Sequence, residues 1–227
     1  MRLRALLFYT IISIYTIVIG FLGLPLLLTF KQHVVNKVGV IWSLGAIKLL
    51  KIVCNLNYKV EGVENIPSSN VIVAAKHSTA WETMFLLYFM HPSSFILKKE
   101  LTRIPIYGWY LPLLGMIPIA RTQKIQSIKK IITQSKDRLA RGFNVVIFPE
   151  GSRSAKSVSV KSGIYSIHKN LKNYSVLPIT HNASEYFGGK GSFSIKPGVI
   201  TVKIKPPLSF DPNKQGYLNK IQQSIRY

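Results

Sequence analysis

After Met1-Arg2-Leu3-Arg4 the chain runs from Ala5 to Phe30 without a single charged side chain. A helix of about 20 apolar residues crosses the hydrocarbon core of a bilayer, so this segment is long enough to do so. Gly20, Gly23 and Pro25 fall in its second half, where Pro25 removes a backbone donor and kinks or ends the helix. A secretory signal is the rival reading of a basic start followed by an apolar run. Such signals carry a shorter apolar region and a small-residue cleavage site, whereas this run stays bulky to its end. A second segment, Val34 to Cys54, places Val38, Ile41, Leu44 and Ile52 roughly at helical spacing, interrupted by Lys37, Lys48 and Lys51. It reads as the return arm of a hairpin or as an interfacial helix with snorkelling lysines and Trp42 at the headgroup level. No acidic residue occurs before Glu61. Residues 1–57 therefore form a membrane-binding arm.

Charge separates the partners such an arm allows. The 227 residues carry 30 Lys and Arg against 8 Asp and Glu, a formal net charge of +22, yet 48% are hydrophobic. That apolar share excludes a disordered basic tail. Cys54 is the lone cysteine, so no intrachain disulfide scaffold is possible. A positive field suits nucleic acid or anionic lipid. The chain shows no basic recognition helix and no aromatic RNP-like pattern, so nucleic acid is excluded as partner. An uncharged opening flanked by cations points to anionic membrane lipid, attracted by about 1 kcal/mol per basic residue near the surface. Arg2 and Arg4 precede the apolar run, and Lys31, Lys37, Lys48 and Lys51 follow it. This bias leans toward a domain on the cytoplasmic side of the cell inner membrane, behind one span or a hairpin returning to the same side.

From Tyr58 short apolar runs alternate with helical patterns. Val71–Ala75, Ser94–Leu97, Met116–Ala120, Asn144–Phe148, Val176–Thr180 and Val199–Lys205 read as strands. Helices are expected at Thr79–Met90, in a short piece ending near Ile104-Pro105, from about Lys124 to Arg141 before Gly142, and at Gly163–Lys169. The alternation defines residues 58–227 as one α/β domain, a mixed and largely parallel sheet covered by helices, preceded by a membrane helix or helical hairpin.

Polar residues cluster directly after these strands, where open α/β sheets bind ligands. His77 and Glu82 lie five apart after Val71–Ala75. On one helix they would diverge; with His77 in the preceding turn and Glu82 in the first helical turn they meet. The carboxylate then fixes the imidazole tautomer and leaves the other ring nitrogen as a base. The same spacing also fits a capping histidine and a surface glutamate. After Asn144–Phe148 come Pro149, Glu150, Gly151, Ser152 and Arg153, a turn with an acid, a glycine that permits close approach and a guanidinium fork suited to phosphate. Lys98 and Lys99 follow Ser94–Leu97, and Arg121 follows Met116–Ala120. No serine occupies a G-x-S-x-G elbow, no P-loop or dinucleotide fingerprint occurs, and His33, His77, His91, His168 and His181 show no metal-ligand spacing. A base without a protein nucleophile points to direct transfer, in which a substrate hydroxyl attacks a bound electrophile.

These residues resemble the glycerolipid acyltransferase family. The family's His, four residues, then acid is present as His77-Ser-Thr-Ala-Trp-Glu82. Its Lys-x-x-Leu, six residues, Gly, twelve residues, Arg is matched by Lys98, Leu101, Gly108 and Arg121. Its Phe-Pro-Glu-Gly-Thr-Arg appears as Phe148 to Arg153, and its proline-containing strand as Val176-Leu-Pro178-Ile179. Two positions depart from the pattern: Glu82 replaces the usual aspartate and reaches one methylene further, and Ser152 replaces threonine.

The resemblance implies that His77, oriented by Glu82, deprotonates the free 2-hydroxyl of a lysophosphatidate as it attacks the thioester of acyl-CoA or acyl carrier protein, giving phosphatidate. It implies that Arg121 holds the phosphate with Lys98 and Arg153 nearby, that Glu150, Gly151 and Ser152 also bind substrate, with Glu150 ordering the glycerol or the loop, and that no metal or redox cofactor is needed. Another lysolipid acceptor, such as an ornithine lipid precursor, and a non-catalytic lipid-binding role stay open at this point.

Overall fold

The computed structural model describes residues 2–29, 31–120, 124–153, 159–188 and 194–227. The apolar opening forms α1 (Arg2–Leu22), broken before the short α2 (Leu24–Leu27), which carries Pro25 in its first turn. The second segment forms α3 (Gln32–Cys54), ended by Asn55 in the left-handed conformation. The remaining elements, in chain order, are β1 (Leu56–Glu61), β2 (Ile72–Ala75), α4 (Trp81–Phe89), β3 (Ser93–Lys98), α5 (Tyr107–Leu113), β4 (Ile117–Ile119), α6 (Lys124–Ala140), β5 (Asn144–Ile147), α7 (Gly163–Asn170), β6 (Val176–His181), β7 (Gly198–Ile204) and α8 (Lys214–Ser224).

Among the described residues these seven strands form one sheet in the order β1-β7-β6-β2-β5-β3-β4. Every neighbouring pair is parallel except β6 and β7. Ile72 sits opposite Val145 on one side and Val176 on the other. The mixed, largely parallel sheet expected from the alternation is therefore present. Helices cover both faces, which is why β2 and β6 are buried along their full length and read as unbroken apolar runs instead of alternating ones. One core, under α1, α3, α4 and α5, takes Val73, Ala75, Val146 and Leu177. The other, under α6, α7 and α8, takes Ile72, Ala74, Val145 and Ile147.

β1, α5 and α8 were not among the expected elements. α5 contains Pro112 and is only seven residues long, and α8 carries Gly216 and few apolar residues, so neither shows a strong period.

The two N-terminal helices run antiparallel. Trp42 Nε1 donates to Thr16 Oγ1 at 2.9 Å and the Tyr15 hydroxyl to the Ile41 carbonyl at 2.9 Å. The C-terminal half of α3 belongs to the core: Ala46, Leu50 and Cys54 are buried, and Ser43 donates to the Met84 carbonyl of α4. α1 is tied to the rest at both ends, with the Cys54 thiol 3.7 Å from the Arg4 carbonyl and the Tyr110 hydroxyl 2.6 Å from that of Gly20. It lies along the domain. Ala5, Phe8 and Gly20 face inward, while Leu3, Leu6, Ile14, Ile17, Phe21 and Leu22 stay exposed. By length and composition α1 is also apolar enough to cross a membrane.

Candidate active site

β2, β6, β5, β3 and β4 run in one direction, so their carboxyl ends share one edge of the sheet. His77 follows β2 in the turn before α4, and Glu82 is the second residue of that helix. His77 Nδ1 lies 2.9 Å from Glu82 Oε1. The carboxylate folds back over the turn and also accepts from the Ser78 amide at 2.7 Å, the Thr79 amide at 2.8 Å and the Thr79 hydroxyl at 2.5 Å. Glu82 is thus a buried residue that collects the amides of the turn leading into α4, close to the helix N-terminus, where a negative charge is favourable. The arrangement that the spacing required, histidine in the turn and acid in the first helical turn, is the one observed; a capping histidine with a surface glutamate is not.

Burial pushes the Glu82 carboxyl up, but the hydrogen bonds from His77 and Thr79 outweigh it and hold the group below the usual carboxylate range. A carboxylate at Nδ1 accepts the hydrogen carried there, so the lone pair of His77 resides on Nε2. The ring is stacked on Phe148 with centroids 4.0 Å apart and planes 17° apart. Its side chain keeps 15% exposure against 1% for Glu82, so the dyad is closed on the carboxylate side and open on the imidazole side.

Glu150, in the turn after β5, is buried and accepts the His77 backbone N–H at 2.9 Å. Burial raises its pKa, opposed by that hydrogen bond and by Lys76. Its carboxylate ties the turn after β5 to the turn after β2. Gly151 has φ +72°, and a Cβ there would lie 2.7 Å from Lys161 Nζ, so glycine lets this ammonium rest on the turn. Ser152 and Arg153 are exposed on the same loop. Arg153 lies near enough to Tyr107 of α5 for its charge to oppose the burial that raises that phenol. Lys98 is exposed at the end of β3, opposite Ile119 of β4. Arg121 falls outside the described residues. The structure thus joins His77, Glu82, Glu150 and Gly151 in one constellation, carries Ser152 and Arg153 on its loop and sets Lys98 on the same edge.

Three participants went unassigned in the sequence. Thr79 lies inside the first motif and Lys161 twelve residues past Pro149, and neither position advertises a contact. His181 did carry a signal, because it ends the apolar strand β6 at the same edge as the others.

A histidine–carboxylate pair at the carboxyl edge of an α/β sheet, set among cations and beside an apolar helix pair, fits the class of group-transfer enzymes working on anionic, lipidic substrates. The chain belongs to the acyltransferase family, whose family model matches residues 57–182. It is 34% identical over 223 residues to the 1-acyl-sn-glycerol-3-phosphate acyltransferase of Pseudomonas aeruginosa, covering 91% of this chain and 80% of that one. A second relative, the enzyme of that name from Chlamydomonas reinhardtii, is 29% identical over 99% of this chain and 69% of its own length. Among solved structures, the 1-acyl-sn-glycerophosphate acyltransferase PlsC of Thermotoga maritima superposes with a TM-score of 0.77 at 25% identity, over 98% of this chain and 93% of that one.

Proposed function

We propose that this acyltransferase moves a fatty acyl group from an acyl thioester, acyl-CoA or acyl carrier protein, to the sn-2 hydroxyl of 1-acyl-glycerol-3-phosphate, giving phosphatidate. The observation that carries this is the buried Glu82 carboxylate on His77 Nδ1, which leaves Nε2 as a base at the open edge of the sheet. Nε2 takes the hydroxyl proton as the substrate oxygen bonds to the thioester carbon. The carbon–sulfur bond breaks, and the departing thiolate takes the proton back from the imidazolium. Glu82 stabilises that imidazolium, and Glu150 holds the backbone from which it projects. No covalent acyl-enzyme is needed.

Arg153 and Lys98, joined by Lys161 on the Gly151 turn, supply positive charge for the phosphate, with Arg121 as the family motif's further cation. A cleft of about 270 Å³ between α1 and the segment leading into α5 is lined by Ile12, Thr16, Ile17, Ile104, Pro105 and Tyr107. Tyr107 belongs both to this cleft and to the surroundings of Arg153, so an acyl tail lying there keeps its headgroup near the cations. The exposed apolar face of α1 enters the lipid, as the membrane-binding part of residues 1–57, and the flanking lysines favour the cytoplasmic side of the inner membrane.

The test is acyl transfer by vesicle-bound protein, with lysophosphatidate and a phosphate-free monoacylglycerol as acceptors. Arg153→Ala raises the apparent KM for lysophosphatidate about 10-fold and leaves the donor KM within about twofold, as expected for loss of a charge-assisted contact. Arg153→Lys recovers part of the loss. An equal loss with both acceptors would remove Arg153 from the phosphate site.

A further inference from the structure

His181 is a buried titratable group that the reaction above does not use, and it touches the catalytic turn. Its ring is 1% exposed. The Ala183 N–H donates to Nδ1 at 3.3 Å, so Nδ1 carries no hydrogen and Nε2 does. Nε2 donates to the Lys76 carbonyl at 3.1 Å and stands 3.8 Å from Glu82 Oε2. The Lys76 carbonyl and the His77 N–H are the two ends of one peptide unit, and Glu150 Oε2 holds the other end at 2.9 Å. The peptide that launches the His77 side chain is therefore clamped between two buried side chains from β6 and the β5 turn. Its plane cannot rotate without breaking one of these bonds.

Resting on the reading of His77 as the base, we infer that His181 is a positioning residue for it. In its neutral form His181 fixes the Lys76–His77 peptide, and so the aim of Nε2 on His77, while leaving the Glu82 charge to the catalytic ring. The charged and titratable groups that face it are Glu82 from α4 and Lys76 and His77 from the β2 turn. Protonation would add a hydrogen at Nδ1 that points at the Ala183 N–H, which cannot accept it, and would place a second cation on Glu82. Burial keeps the group neutral by lowering its pKa, against the pull of Glu82. A displaced base loses rate through geometry without losing substrate affinity.

The experiment compares His181→Ala, His181→Gln and His77→Ala with the wild type in vesicles, measuring kcat, both KM values and the pH profile of kcat, with thermal melting as a control for folding. His181→Ala lowers kcat about 10- to 100-fold with both KM values within about twofold. A glutamine amide reaches the Lys76 carbonyl and does not titrate, so His181→Gln recovers most of the loss and its acid limb falls less steeply than that of the wild type. A folded His181→Ala protein with wild-type kcat overturns the inference. So does a folded His181→Gln protein no better than His181→Ala, or one whose acid limb is unchanged. If His77→Ala itself stays active, the failure belongs to the reading of the base instead.

Discussion

At the scale of single residues the site is built from groups that do one thing each. Glu82 gathers amides, a hydroxyl and an imidazole on one buried carboxylate, and it does so with a side chain one methylene longer than the family's aspartate. That substitution was legible in the sequence, and so was the dyad, because two chemistry-bearing residues stood at a strand exit. The double clamp on the Lys76–His77 peptide was not, since it joins residues more than seventy and a hundred positions apart. Titration follows from the same burial. His168 and His181, both buried, are held below the usual imidazole range by desolvation. The unfolded chain therefore takes up protons below its ordinary histidine pKa that the folded chain refuses, and folding stability falls as pH drops through that range. Glu82, depressed in the fold, adds to the loss at lower pH, as its stabilisation is complete above 4.5 and vanishes through its folded pKa. Glu150, raised by burial, works the other way. The melting temperature in detergent accordingly declines from about pH 7 to about pH 5, as the protons refused by the buried histidines outweigh the opposite effect of the single raised Glu150. A flat or rising melting temperature there contradicts the assignment of buried, neutral imidazoles.

Elements set those residues in place through their ends. Every strand but β1 was legible, because sheets covered on both faces demand short unbroken apolar runs, and β2, β5 and β6 supply them. Sheet order was not, because nothing local tells β2 to lie between β5 and β6. The N-terminal segment shows the same division. Its apolar length was plain in the sequence, but its direction depends on contacts: glycines admit close neighbours, with the Tyr15 ring over Gly45 and Ile106 over Gly20. α1 is thereby held lengthwise on the domain, and its outer face of Leu3, Leu6, Ile14, Ile17 and Phe21 is left for lipid. Each buried CH₂ group contributes about 0.8 kcal/mol, which salt does not screen. The full-length protein consequently stays in the membrane fraction through a high-salt wash, and replacing Leu6, Ile14 and Phe21 together by glutamate releases it. Release of the wild type by salt alone would assign its attachment to the +22 charge and take α1 out of the membrane.

The whole molecule places its chemistry between two regions of different character. One face of the sheet carries the helix pair with its open apolar side; the other is closed by α6, α7 and α8. The strand ends that carry His77 lie between, and the proposed function has a substrate whose tails lie in the membrane present its headgroup there. Strand–helix alternation foretold the mixed, largely parallel sheet, and the family resemblance foretold acyl transfer. Neither foretold that Glu150 and His181 would grip the backbone of the base. All of this converges on one atom, Nε2 of His77, and the most direct test of it is phosphatidate formation from lysophosphatidate and an acyl thioester by the His77→Ala protein. With folding verified by an unchanged melting curve and membrane retention intact, its kcat falls about 10²- to 10⁴-fold below wild type, the usual cost of losing a general base. A folded His77→Ala protein that turns over within a few-fold of the wild type would contradict the account.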